Sequence, residues 1–300
     1  MPEIELVVDA RHELGEGPVW DPVDGVLFWV NSLDARLGPS VNRYDPRDRA
    51  VKTWPLPHDI GSMALRERGG AVMALRNGFH TFDFDSGQCE LIAEVEADQP
   101  RTRLNDGKCD RRGRFFVGGM DQQESDYLAG LYRLDPDMTV TRVDNGIQCF
   151  NMPCWSPDDR TFYCAETWET IWAYDYDIET GTIANKRALV DLKSEPGGCD
   201  GSTVDEEGYI WNAQVVSGRL IRYAPDGTID RDIPFPIRNL TSVMFGGDNL
   251  DVLYVTSLAR VVHPPHGHFV KEVGPEPTAG GLFEVRGLGV RGLPEPRFAG

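Results

Sequence analysis

Short apolar runs alternate with polar turns along the whole chain, and no stretch sustains a helical period between caps. The pattern predicts strands at Val26–Val30, Ala71–Leu75, Phe115–Gly118, Phe162–Ala165, Tyr209–Asn212 and Val252–Thr256, each entered through a polar turn. The clearest copy is GCDGSTVDEEGYIWNA from Gly198 to Ala213: a carboxylate, a small-residue run, a tight Asp-Glu-Glu-Gly turn and a strand. Further strands are expected between copies, such as Gly130–Leu134 before the turn Asp135-Pro136-Asp137, or Thr170–Tyr174 followed by Ile178–Gly181. The unit returns six times at a period of about 43 to 48 residues, which signals a repeat architecture. Six units of four short antiparallel strands predict an all-β fold, a six-bladed β-propeller occupying residues 1–300 as one domain.

Composition narrows the partners. The formal net charge of −18 removes the basic footprint that nucleic acid or an anionic membrane surface requires, which leaves a small molecule as the expected partner. The first residues, MPEIELVVDARHEL, lack a basic region followed by a signal-length apolar core, and no window reaches membrane-span length. A cytoplasmic location is expected, as a monomer or weak homo-oligomer. The six cysteines show no Cys-x-x-Cys spacing and read as reduced, buried thiols.

Long irregular segments at Asn31–Val41, Met120–Leu128 and Val261–Gly280 are expected as loops over one rim. The last carries His263, His266 and His268 around Pro264, Pro265 and Gly267, a stiff segment that reads as a solvated lid rather than a metal site.

The repeat itself points to candidate chemistry. Where the chain enters each blade, the equivalent positions are Glu16, Ile60, Asn105, Asn151, Asp200 and Thr241. Equivalent positions of a propeller converge on its central channel. Carboxylates and amide oxygens gathered without sulfur or imidazole suit a divalent cation such as Ca2+, Mg2+ or Mn2+. Asn and Asp before strands are also common turn formers that bond their own backbone. Arg103, two residues before Asn105, projects to the same side of an extended chain, where it can fork to ligand oxygens or pair with a surface carboxylate.

Taken together, LGEGPVW from Leu14, RLNDGKCDRRGRFFVGGM from Arg103, NMPCWSPDDRTFY from Asn151, CDGSTVDEEGYIW from Cys199 and the ending GGLFEVRGLGVRGLPEPRFAG resemble the SMP-30/gluconolactonase/regucalcin family of six-bladed propellers. The resemblance covers nearly the whole chain, in the family's order and spacing. It implies a sugar lactonase that requires one divalent metal, whether Ca2+, Zn2+, Mg2+, Mn2+ or Fe2+. It further implies Glu16, Asn151 and Asp200 as protein ligands, Asp200 also as general acid/base, and Arg103 and Asn105 as substrate contacts. The family often places a Glu shortly after the Gly-x-Met of the third blade; here Gln123 falls at that place, a departure that bears on the substrate's hydroxyl pattern.

The implied reaction is hydrolysis of an aldonolactone such as glucono-, xylono- or arabinonolactone. No Gly-x-Ser-x-Gly elbow supports a serine esterase. Two alternatives stand beside it: a calcium-binding regulator of the regucalcin kind, and a metal-dependent esterase or organophosphate hydrolase using the same site.

Overall fold

The computed structural model describes residues 2–263, 268–273 and 276–300, with side chains for 2–260 and 276–300. Among the described residues there is no helix, and so none long and apolar enough to cross a membrane. Six four-stranded antiparallel sheets form a ring, a β-propeller. The innermost strands are Gly15–Asp21, Ile60–Leu65, Thr102–Cys109, Phe150–Trp155, Gly198–Val204 and Leu240–Gly246. Each touches the next around the axis, and the last touches the first.

The ring closes through the chain's beginning. The sixth blade runs Leu240–Gly246, Val252–Ser257, Leu282–Arg286 and then the N-terminal strand Glu3–Val8 as its outer edge. A sheet finished by a strand from the far end of the chain cannot unwind without losing that strand's ladder.

Every sheet packs both faces against neighbouring blades, so its inner strands are buried along their length rather than alternating between buried and exposed. Val26–Asn31, Ala71–Leu75 and Val252–Ser257 are buried at every position, whereas the outer strand Ala50–Pro55 is exposed at all but one. A separate apolar cluster fills each of the six seams, as between blades 1 and 2 (Phe28, Ile60, Met73) and between blades 3 and 4 (Phe116, Phe150, Phe162). At the turns, Asp110 and Asp205 accept two backbone N–H bonds apiece. All six cysteines are unpaired thiols, five of them buried.

Two expectations are corrected. Ile178–Gly181 is a turn, not a strand: Asp177 accepts the Glu179 N–H and Gly181 takes φ +68°, and the strand is Thr182–Asp191. The Val261–Gly280 segment is not wholly irregular, since Arg260–His263 pairs with His268–Val273. His266 lies outside the described residues, as do the side chains of His263 and His268.

The C-terminal residues strap one face of the ring. Backbone bonds join Phe298 to Leu65 and Glu67, Ala299 to Gly113, Arg291 to Glu206 and Gly292 to Leu250, touching blades 2, 3, 5 and 6. Phe298 is fully buried in the apolar cluster that also holds Phe79 and Phe115. Phe298→Ala is expected to cost about 3–5 kcal/mol in urea unfolding through the cavity it leaves. Ile229→Ala on an outer strand should stay within about 0.5 kcal/mol.

Candidate active site

At the opposite end of the channel from the strap, Glu16, Arg103, Asn105, Asn151 and Asp200 line one pocket. The backbone explains the convergence. All six innermost strands break register with their neighbours: after Glu16, between Ile60 and Ser62, between Leu104 and Gly107, after Asn151, between Cys199 and Ser202, and between Leu240 and Ser242. A bulge re-aims side chains that a regular ladder would send into the seams. Packing at the axis is tight: a Cβ on Gly61 would stand 2.2 Å from the Asn105 carbonyl oxygen, and one on Gly201 would stand 2.1 Å from Ser242 Oγ.

Each polar side chain is held. Asn105 Nδ2 donates to the Phe150 carbonyl at 2.8 Å and to Asn151 Oδ1 at 3.1 Å, which leaves its own Oδ1 as an acceptor. Asn151 Nδ2 donates to Thr167 Oγ1 at 2.9 Å, and Thr167 Oγ1 in turn donates to the Cys149 carbonyl at 3.2 Å. This relay fixes which end of the Asn151 amide is oxygen. Glu166 accepts the Gln148 and Cys149 N–H groups, both at 3.2 Å, and so anchors the entry to that strand. Arg103, 4% exposed, donates to the Leu104 carbonyl at 3.0 Å.

Charge at the pocket floor is unbalanced toward the negative. Burial, and then Asp106, push Glu16 up to about 8 against the pull of the Gly17 N–H and Arg103. Burial pushes Asp200 well above the usual carboxylate range, and Glu16, Asp106 and Glu124 add to the rise. Burial lowers Arg103. Two carboxylates and an oriented amide oxygen in such surroundings fit a hard divalent cation, which would relieve that excess. Among the described residues no group of three or more His, Cys, Asp or Glu could hold a metal, so an amide oxygen is needed to complete this set.

Gln123 is the one predicted site residue placed elsewhere. It is exposed, and Glu124 lines the pocket instead. The buried Asp121 carboxylate accepts the N–H groups of Gln123, Ser125 and Asp126 and is clamped by Arg101, winding 121–126 into a turn with Glu124 at φ +45°. Counting by strand alternation fails across such a turn. Thr167, Trp168, Leu14, Val215 and Leu258 also line the pocket and carried no repeat signal, except that Trp168 is a large aromatic in an otherwise polar hairpin tip.

The SMP-30/gluconolactonase/LRE-like family model matches residues 14–259. The chain belongs to this family. It is 34% identical to regucalcin of Xenopus laevis and 34% identical to 6-deoxy-6-sulfogluconolactonase of Pseudomonas putida, each match covering 99% of both chains. A solved regucalcin from Agrobacterium tumefaciens, described as a calcium-binding protein, superimposes with a TM-score of 0.88 at 28% identity, covering 98% of this chain and 96% of that one. The matched span holds every pocket residue discussed above.

A pH dependence follows from Glu166. Burial raises its folded-state pKa to about 7, above the unfolded value, so its contribution to stability is intact below about 4.5 and is lost as pH rises through about 7. Between pH 5 and pH 8 wild type should lose about 2.5 kcal/mol relative to Glu166→Gln, read from paired denaturant titrations.

Proposed function

We propose that this chain hydrolyses a sugar lactone to the aldonic acid with the help of one hard divalent cation. The carrying observation is that Glu16, Asn151 and Asp200, from blades 1, 4 and 5, meet Arg103 and Asn105 of blade 3 in one pocket where two carboxyl groups are crowded together and buried. The family's lactonase members and the regucalcin described as calcium-binding support the reading.

Glu16, Asn151 and Asp200 would hold the cation. When bound, it supplies Lewis-acid polarisation of the carbonyl and lowers the pKa of an attacking water. The protein's own groups do the rest. Arg103 offers guanidinium N–H groups to the lactone oxygens, and Asn105 offers its free Oδ1 to a ring hydroxyl. The Asp200 carboxylate takes the proton of the attacking water. Water oxygen bonds to the carbonyl carbon, the ring C–O bond breaks, and the same proton goes to the departing ring oxygen, so that one lactone and one water give one hydroxy acid.

Proton release from a panel of aldonolactones tests this directly. With Ca2+, Mg2+ or Mn2+ added, at least one lactone should be hydrolysed well above the blank, and EDTA should abolish the excess. Asp200→Asn should lower kcat by roughly 10²–10⁴. Hydrolysis no faster than the protein-free blank with every metal and lactone would sink the proposal. The Agrobacterium protein's description favours a second reading, calcium binding as an end in itself. Tight calcium uptake without chelator-sensitive turnover would select it.

A further inference from the structure

Blades 3 and 4 are fastened together over the pocket by two contacts between their rim loops. Trp168 Nε1, at the hairpin tip after Thr161–Glu166, donates to Glu124 Oε2 at 2.6 Å, and Tyr127 donates to Glu169 beside it. Beneath the indole lies Gly198, two residues before Asp200; a Cβ there would stand 2.7 Å from the Trp168 ring. The ring also packs against an apolar group formed by Leu14, Val215 and Leu258, all of which line the pocket. The pocket lining therefore joins this apolar group and the indole to Arg103, Asn105 and the three carboxylates Glu16, Glu124 and Asp200.

We propose that Trp168 is the specificity-determining residue of this pocket: its ring packs on the C–H face of an uncharged lactone, while its indole N–H positions Glu124 to accept from a hydroxyl and to repel acidic substituents. The proposal rests on the lactonase reading and names its substrate class, a neutral polyhydroxy lactone as opposed to one bearing a carboxylate, sulfonate or phosphate. A sugar ring presents axial C–H groups on one face and hydroxyls around its edge, which matches a pocket whose lining combines an aromatic and aliphatic group with polar side chains. The backbone supports the arrangement: Glu124 is held at φ +45° by the Asp121-centred turn, a conformation unfavourable for Glu that persists because the turn fixes it.

The test uses the full chain with added metal and three substitutions: Trp168→Phe, which keeps a ring and removes the N–H; Trp168→Ala, which removes both; and Glu124→Gln, which keeps an acceptor for the indole and removes the charge. Trp168 is the single tryptophan in the pocket lining, so glucono-δ-lactone or gluconate should change the tryptophan emission of wild type, and Trp168→Phe should lose that change. With the neutral lactone, Trp168→Phe should raise KM about tenfold with a smaller effect on kcat, and Trp168→Ala should raise it further. Wild type should prefer the neutral lactone over a carboxylate-bearing one by at least tenfold in kcat/KM, and Glu124→Gln should shrink that ratio severalfold. A merely structural tryptophan would shift the unfolding midpoint and leave the charge preference alone.

If wild type turns over lactones while Trp168→Phe keeps its KM and its emission response, the proposal is overturned and the lactonase reading survives. If wild type binds with an emission change that Trp168→Phe loses, but turns nothing over, the pocket wall stands and the hydrolytic reading falls. Neither binding nor turnover overturns both, and a wild-type preference for the acidic lactone overturns the assigned substrate class.

Discussion

In all six blades the strand nearest the axis departs from its ladder at the same level, and everything at the mouth of the channel depends on that departure. A regular strand sends successive side chains to opposite faces, which here means into the two seams beside its blade. A polar group there would be buried in an apolar cluster. The bulge turns Glu16, Asn105, Asn151 and Asp200 out of the seams toward the axis, and it also frees backbone groups that must find partners elsewhere. They find them across blades: Thr241 Oγ1 donates to the Gly15 carbonyl at 2.5 Å, Ser62 Oγ to the Asn105 carbonyl at 2.9 Å, and the Met152 N–H to Asp106 at 2.9 Å. The bonds that knit the ring at its centre are thus the ones that aim the site.

The electrostatics of the channel run in a layered order. Beneath the pocket, Asp106 accepts two backbone N–H groups and feels Lys108; Lys108 donates to the Ser202 carbonyl at 2.7 Å and approaches Glu295 of the C-terminal strap at 4.0 Å. Lys108 therefore balances Asp106 and Glu295 at the lower level. Among the described residues no equivalent side chain balances Glu16 and Asp200 above, where Arg103 answers to several carboxylates at once. Leaving buried carboxylates short of countercharge is costly, and the cost falls at the one level that opens to a ligand.

How much of this could be read from residues alone varies strand by strand. Inner strands such as Ala71–Leu75 were legible because burial on both faces makes them apolar throughout, and the Asp-led turns mark where they begin. Outer strands such as Cys89–Glu94 and Ile229–Pro234 face solvent and carry no hydrophobic signature, so their existence came only from counting four strands to a blade. The closing strand Glu3–Val8 gave no sign of pairing with Leu282–Arg286, because that contact spans nearly the full chain. That Glu16, Asn105, Asn151 and Asp200 converge on one pocket was legible because the bulge recurs with the repeat. Gln123, which came from the family resemblance alone, is exposed while its neighbour Glu124 lines the pocket, because side-chain hydrogen bonds from Asp121 set the path of the chain there.

That contrast separates what the scaffold dictates from what the rim is free to change. Glu16, Asn151 and Asp200 sit on inner strands that also carry the cross-blade bonds, so altering them disturbs the ring. Glu124 and Trp168 sit on loops beyond the inner strands, bonded to each other and lining the pocket, with the indole resting on Gly198 where an inner strand begins. Yet the two layers are not independent, since Asn105 meets both: its amide hydrogens hold Asn151 and its oxygen faces the pocket. In the proposed reaction a substrate hydroxyl that draws on Asn105 would therefore bear on the orientation of Asn151 through one side chain, with no large movement of the fold.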